Sequence, residues 1–186
     1  MKRWIESFTT QDLIIISIIS ALGLAVKPII TPIVHIVSGP LLIPGGSLSG
    51  GFYMLWLGLI MVLVPKKGSA ILMAFVQGAV TLIIGQFGHH GVVSIVTYTA
   101  PGITAELTGF FFRNKRSLVS QVFICTGANL TGSLLVALFI MRLPFIPLAI
   151  SLVTAIISGI GGGIIAYTII KQLELHQFDL LRKRVP

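Results

Sequence analysis

Charged side chains are scarce in this sequence of 186 residues, since Asp, Glu, Lys and Arg together make up 10% of it and only five residues are acidic. A soluble globular domain carries about 25% charged residues, so the composition excludes an ordinary cytosolic globule. It also excludes a disordered chain, because 55% of the side chains are hydrophobic and disordered chains have low hydrophobicity. The composition is typical of a protein that lies in a lipid bilayer.

Cysteine occurs once, at Cys125, so neither an intramolecular disulfide nor a cysteine-based zinc cluster can form. The sequence contains no G-x-x-x-x-G-K-[ST] phosphate loop, no H-E-x-x-H metal motif and no G-x-S-x-G nucleophile elbow. It therefore lacks the motifs for P-loop ATP hydrolysis, zinc peptidase chemistry and serine hydrolase chemistry. We expect no catalytic residue, no resident metal and no cofactor, and we predict that the protein is not an enzyme.

Long apolar runs account for most of the chain. A helix crosses a bilayer core about 30 Å thick with about 20 apolar residues, so the length allows six such helices with short connections. Punctuation by Pro, Gly and basic residues places the predicted spans at about 13–30, 48–64, 69–87, 91–112, 118–140 and 148–170. The predicted fold is a single all-α membrane domain over residues 1–186, a bundle of six transmembrane helices.

The connection between the first two predicted spans reads TPIVHIVSGPLLIPGGS, which is apolar but interrupted by prolines and a glycine pair. Irregular backbone of this kind cannot lie against lipid, because its unpaired amides would cost several kcal/mol each. We expect this long first outer loop to cap the bundle. The tail after residue 170 is amphipathic and basic, which predicts a segment lying at the membrane interface.

Basic residues lie in alternate connections of this six-span scheme. Eleven Lys and Arg residues fall on the side of the two chain ends, and only Lys27 and Arg142 fall on the other side. The positive-inside rule then predicts cytoplasmic N- and C-termini, and the formal charge of +8 is explained by topology and by attraction to anionic lipid. No nucleic-acid partner is expected, because the basic residues do not gather on one soluble face. We predict a multi-pass protein of a prokaryotic cell membrane.

Glu106 is the one acidic residue that falls well inside a predicted span. A carboxylate there costs about 2.5–3.5 kcal/mol on insertion scales, so it should face the bundle interior and have a partner. At helical spacing Glu106 shares a face with Thr99 and Gly102, which leave room for a ligand. A bound cationic ligand would supply the counter-charge; alternatively, Glu106 is neutral, or it is hydrogen-bonded to Gln77 or Asn129 for packing.

Seven further residues are candidates for a substrate site. The two amides among them can bind a ligand or join helices, and the three aromatic residues belong to an interfacial belt or to a stacking surface for a planar ring. The adjacent histidines, in the predicted third-to-fourth outer turn, form a pocket rim or gate, or a metal site, although no carboxylate accompanies them. These candidates are Tyr53, Trp56, Gln77, His89, His90, Tyr98 and Asn129.

Small residues mark two helices. Ala21 and Ala25 lie four positions apart on the first span, a spacing that lets another helix approach closely, and the glycines of the sixth span predict close internal packing. The alanine pattern, the six spans, the inward basic loops and the long outer connection resemble the substrate-binding S components of energy-coupling-factor (ECF) vitamin transporters, over essentially the whole chain. The segments IPGGSLSGGFYMLW and PGITAE are most similar to the thiamine/hydroxymethylpyrimidine (YkoE-type) branch.

This resemblance implies a subunit that captures a vitamin or its precursor from outside, while a transmembrane coupling subunit and two ATPase subunits drive uptake. It implies that Ala21 and Ala25 contact the coupling subunit and that the first outer connection closes over the substrate. The expected substrate is thiamine or a hydroxymethylpyrimidine-like precursor, with another vitamin or a metal ion as alternatives, because the outer region has only Trp56 as a plausible tryptophan for stacking. A different class is a stand-alone secondary transporter or channel that uses Glu106 as a cation or proton site.

Overall fold

A computed structural model describes residues 8–39, 45–84 and 93–182, without the side chains of 37 and 177–182. Within these ranges the chain forms six α-helices and no strand, which confirms the all-α fold class. The helices are α1 (Thr10–Ser38), α2 (Gly45–Leu63), α3 (Ser69–Ile83), α4 (Ser94–Phe110), α5 (Leu118–Leu135) and α6 (Phe145–Arg182). A π-helical turn, Val136–Ile140, extends α5.

Four helical segments are long and apolar enough to cross a membrane: Thr10–Ile36, Gly45–Leu63, Leu118–Ile140 and Phe145–His176. Helix α3 is apolar but has 15 residues, and α4 has 17, whereas a perpendicular crossing takes about 20. The described helices therefore support an integral membrane protein, and the six-span topology stays a prediction.

Helix α1 is longer than the sequence predicts. The prediction of a long capping loop is wrong for the first half of that segment, because α1 continues through Pro28 and Pro32 to Ser38. Helix α2 already begins at Gly45. Each proline removes one backbone donor, but every other amide of this apolar segment still needs a partner, and a continued helix provides it. The connection between the two helices shrinks to residues 39–44.

Helix α6 is one continuous helix of 38 residues, where the sequence predicts a span ending at 170 and a separate interfacial tail. At 1.5 Å per residue it is roughly 57 Å long, which exceeds the hydrocarbon thickness of about 30 Å. Its last turns therefore extend beyond the apolar layer. An ion pair of 3.3 Å between Arg116 and Glu174 joins them to the loop after α4.

Helix α2 is the central helix: it packs against the other five, while α3, α4, α5 and α6 follow one another around it. Helix α1 lies at the edge of the bundle, against α2 and α3. Much of its remaining surface is apolar and exposed, as lipid or a partner helix requires. The large exposed side chains on α1 are Leu13, Ile14, Ile18, Leu22, Ile29, Ile33 and Ile36.

Glycines bring α6 into backbone contact with its neighbours, as the small-residue pattern of the sixth span predicts. A Cβ built on Gly162 would lie 2.2 Å from the carbonyl oxygen of Gly51, and one on Gly163 would lie 2.4 Å from Cα of Val122. Only a residue without a side chain fits at such distances. At Gly161, by contrast, a Cβ would meet nothing within 4 Å.

One end of the bundle, which we call the basic end, contains the start of α1 and the loops 64–68 and 111–117, with their Lys and Arg residues. Thr9 and Asp12 form a capping box at the start of α1, which satisfies free backbone donors of the first turn. Asp12 also pairs with Lys66 of the α2–α3 loop. These contacts fix the edge helix α1 to the rest of the bundle at this end.

Candidate functional site

A stripe of small and polar residues runs along α1. Its members recur every three or four positions, a spacing that places them on one side of a helix. They are Ser20, Gly23, Lys27, Thr31, His35 and Ser38. Contacts of the stripe with α2, α3 and α4, given below, show that it faces the bundle.

Lys27 connects three helices. Its Nζ donates a hydrogen bond of 2.6 Å to the hydroxyl of Tyr98 on α4, and lies 3.8 Å from the centroid of the Tyr98 ring and 4.8 Å from that of Tyr53 on α2. The hydroxyls of Tyr53 and Thr31 share a hydrogen bond of 2.9 Å. An ammonium within about 6 Å of an aromatic ring is attracted to its face, so the two tyrosines form a partial cage around this cation.

One turn closer to the basic end, Gly23 leaves room for Trp56 of α2 and Gln77 of α3. A Cβ on Gly23 would lie 2.5 Å from Nε2 of Gln77 and 3.2 Å from the Trp56 ring. Nε2 of Gln77 donates to the carbonyl oxygen of Ser20 over 3.3 Å. Nε1 of Trp56 and the hydroxyl of Ser20 are buried and have no hydrogen-bond partner among the described residues. Buried polar atoms without partners are costly, so this region favours a ligand that supplies them.

We call this set of residues the Lys27 cluster. Its members are Ser20, Gly23, Lys27, Tyr53, Trp56, Gln77 and Tyr98. The sequence predicts the three aromatic residues and the glutamine as site residues, and the structure brings these four together. The three members on α1 were not among the predicted site residues, although the spacing of Ser20, Gly23 and Lys27 places them on one side of the helix and can be read from the sequence.

Glu106 lies at the basic end. Its Oε1 accepts a hydrogen bond of 2.7 Å from the backbone N–H of Gly68, and its Oε2 accepts one of 3.3 Å from that of Ala70. Gly68 has a φ of 87°, a conformation that glycine adopts without strain. The free N–H groups at the start of a helix attract a carboxylate. The partners of Glu106 are thus backbone amides at the start of α3, in place of the predicted Gln77 or Asn129.

We expect Glu106→Gln to lower the free energy of unfolding by about 1–2 kcal/mol, because it weakens charge-assisted hydrogen bonds to the start of α3. Substrate affinity should stay unchanged, since the carboxylate is held at the basic end. Thermal unfolding of the detergent-purified protein and a ligand titration measure the two quantities. The matched control is Glu174→Gln, which removes a surface partner of Arg116. It should lower the free energy of unfolding by less than Glu106→Gln does. A more than tenfold loss of affinity in a folded Glu106→Gln protein would contradict this assignment.

Asn129 lies in a second polar interface, between α2, α5 and α6. Its Nδ2 donates to the carbonyl oxygens of Ser47 and Ala155, over 3.3 Å and 2.8 Å. Its Oδ1 occupies the space where Gly50 would carry a side chain. Both N–H groups of the amide are used, so Asn129 joins helices, which is one of the two roles that the sequence predicts for it.

His89 and His90 lie outside the described residues, and their place at a pocket rim stays a prediction. In the ranges that the structure covers, no group of three or more His, Cys, Asp or Glu side chains could hold a metal ion. Ala21 and Ala25 are exposed, and at 100° per residue they lie on a different side of α1 from Lys27.

A groove of about 300 Å³ lies between α2 and α6. Its lining contains no ionisable side chain, and Phe52 and Ile157 on its walls are exposed. Such a surface suits apolar groups such as lipid chains, whereas the Lys27 cluster offers hydrogen bonds and charge.

No curated protein matches the sequence. A protein whose structure is described as "Crystal structure of an S-component of ECF transporter" has a similar fold, with a TM-score of 0.76 over 95% of each chain and 19% sequence identity. At this identity the similarity concerns the fold alone. The family model described as the permease component of an ABC-type cobalt transport system matches residues 11–132, which include every member of the Lys27 cluster and more than half of the chain. The chain therefore belongs to this family of transporter permease components and has the fold of an ECF S component.

Proposed function

We propose that the protein is the substrate-capture (S) subunit of an ATP-driven vitamin uptake transporter and that the Lys27 cluster is its substrate site. The observation that carries this proposal is the convergence of α1, α2, α3 and α4 on one set of aromatic and hydrogen-bonding side chains. The sequence lacks a phosphate loop, so ATP would be hydrolysed by separate ATPase subunits, connected through a transmembrane coupling subunit.

The proposed membrane topology has the basic end in the cytoplasm, as the positive-inside rule favours. Lys27 lies 17 residues after the start of α1, which corresponds to about 25 Å along the helix. In this orientation the Lys27 cluster lies in the outer half of the bilayer and is reached from outside. The protein would then be a multi-pass component of a prokaryotic cell membrane.

The proposed substrate is a small heteroaromatic compound, either thiamine or a hydroxymethylpyrimidine-like precursor. Tyr53, Trp56 and Tyr98 supply ring faces against which a planar heterocycle would stack. Nε1 of Trp56 lacks an acceptor among the described residues and would donate to a ring nitrogen. The positive charge of Lys27 favours the pyrimidine precursor over thiamine, whose thiazolium ring is a cation.

A cobalt ion is the second candidate substrate, because the family description names cobalt. Lys27 would repel a divalent cation at the cluster, and the part of the chain that the structure describes offers no group of three metal ligands. A stand-alone cation transporter that uses Glu106 is supported less, since both carboxylate oxygens already accept backbone hydrogen bonds. We therefore favour the heterocycle.

A ligand screen with a pair of glycine variants tests the proposed site. We expect one heterocycle of a vitamin panel to raise the unfolding temperature of the purified protein, since a ligand at 100 times its Kd adds about 2.7 kcal/mol. Gly23→Ala should weaken that binding about tenfold, because the new methyl group displaces the amide of Gln77.

The control is Gly46→Ala, whose Cβ would meet nothing within 4 Å, and which should bind like the wild type. A folded protein that responds to Co²⁺ and to no heterocycle would contradict the vitamin proposal. Substrate transport down an ion gradient by the reconstituted chain alone would contradict the role as a capture subunit.

A further inference from the structure

Lys27 has no acidic partner among the described residues. Of the three acids with described side chains, Asp12 pairs with Lys66, Glu174 pairs with Arg116 and Glu106 binds the backbone of Gly68 and Ala70. The contacts of the ammonium are the hydroxyl of Tyr98 and the rings of Tyr53 and Tyr98. A cation inside a membrane helix normally pairs with an acid or with backbone carbonyls, so this one lacks a full counter-charge.

Several donor groups of the cluster have no acceptor among the described side chains. A lysine ammonium has three N–H donors, and one of them is used by Tyr98. The Tyr98 oxygen accepts that bond, so its own hydrogen is left to donate. Nε1 of Trp56, which can only donate, has no acceptor in the described part of the chain. The cluster therefore matches a ligand group that is rich in acceptors and negatively charged.

We propose that the substrate of this site is a planar heterocycle that carries an anionic group, a carboxylate or a phosphate, and that Lys27 binds this group. The inference rests on the proposed function, because it takes the Lys27 cluster as the substrate site. Charge-assisted hydrogen bonds from the ammonium and the Tyr98 hydroxyl would hold the anion, while the rings of Tyr53 and Trp56 contact the heterocycle. The bound anion would supply the counter-charge that the described side chains do not provide to the Lys27 ammonium.

The opposite arrangement is a cationic substrate that displaces the ammonium from its two tyrosine rings, since aromatic cages also bind ligand cations. The donors of Tyr98 and Trp56 would then be left without acceptors. This difference in hydrogen bonding is why we favour the anion.

Matched ligand pairs that differ in one charged group test the inference by calorimetric titration. The probes are nicotinate with nicotinamide, hydroxymethylpyrimidine monophosphate with hydroxymethylpyrimidine, and thiamine monophosphate with thiamine. The wild type should bind the anionic member of one pair at least tenfold more tightly than its partner, and the pair identifies the anion as a carboxylate or a phosphate. Lys27→Met should reduce this preference to less than threefold, and Lys27→Arg should retain most of it.

The matched control is Lys171→Met, which removes an ammonium 5.9 Å from the ring of Tyr167 and should leave the preference unchanged. Tighter binding of the uncharged or cationic member, or no effect of Lys27→Met, overturns this inference and leaves the proposed function standing. If the folded wild type binds neither a member of these pairs nor any other heterocycle of the vitamin panel, both the inference and the proposed function are overturned. If Lys27→Met does not fold, the wild-type preference and the Lys27→Arg protein decide the question.

Discussion

Replacing Gly162 by alanine is expected to cost about 3 kcal/mol of folding stability, whereas the same replacement at the neighbouring Gly161 should cost almost nothing. A Cβ on Gly162 would lie 2.2 Å from the carbonyl oxygen and 2.7 Å from Cα of Gly51. Both are backbone atoms of the central helix, so the clash is relieved only when α6 moves away from α2. Overpacking of this kind costs about 1–3 kcal/mol or more.

Separating α6 from α2 would also strain the hydrogen bonds between them. The Ser47 and Ser151 hydroxyls share one of 2.7 Å, and the backbone N–H of Gly51 donates to Oγ of Ser158 over 2.9 Å. These bonds hold the two helices at the distance that Gly162 permits. Their loss adds to the cost of the new methyl group.

Thermal unfolding of both variants in the same detergent measures the difference. At Gly161 the new Cβ meets nothing within 4 Å, and alanine is the better helix former by about 1 kcal/mol, so this variant should be as stable as the wild type or slightly more stable. Equal unfolding temperatures for the two variants would contradict the close approach of α2 and α6.

The double change Ala21→Leu and Ala25→Leu is expected to lower substrate uptake more than tenfold and to leave substrate binding by the isolated subunit intact. The two alanines are exposed on α1, on a different side of the helix from Lys27. We propose that they contact the coupling subunit, and small residues at such a contact let two helices approach closely. Leucine at both positions would hold the partner helix away.

Substrate uptake is measured in cells that express the chain together with the coupling and ATPase subunits of the same organism. Copurification of those subunits measures assembly. Ala149→Leu, at an exposed alanine of α6, is the control and should support normal uptake. If the double variant assembles and transports like the wild type, the coupling subunit binds elsewhere.

Helix boundaries followed from the sequence where an apolar run ends in a cap or a charged turn. Helix α5 begins at Leu118 after a Ser117 cap and ends near its predicted limit, because Pro144 follows the π-helical turn. For α1 and α6 the sequence predicts ends that lie too early in the chain. Pro28 and Pro32 are typical of the end of a helix, but in apolar surroundings a helix that lacks two backbone donors satisfies more of its backbone than a loop would.

The candidate site also has a part that the sequence predicts and a part that it does not. Residue type alone indicated Tyr53, Trp56, Gln77 and Tyr98, since aromatic rings and amides inside apolar helices are conspicuous. These four residues converge because α1 packs closely against α2 and α3, and Gly23 permits that close packing. Residue composition does not predict how helices pack. For Glu106 the sequence suggests a ligand, because it shows no basic side chain at a matching depth that could be the partner of the carboxylate. The actual partners are backbone amides beside the left-handed Gly68, and a sequence does not reveal such partners.

The fluorescence of Trp56 tests the central claim, that the Lys27 cluster binds the substrate, most directly. The sequence has two tryptophans, and Trp4→Phe leaves Trp56 as the one indole, beside Gly23 and Gln77. The heterocycle that most stabilises the protein should change the Trp56 emission in a saturable manner, with the same Kd as calorimetry gives. An unchanged emission while calorimetry shows tight binding would place the substrate elsewhere and contradict the account.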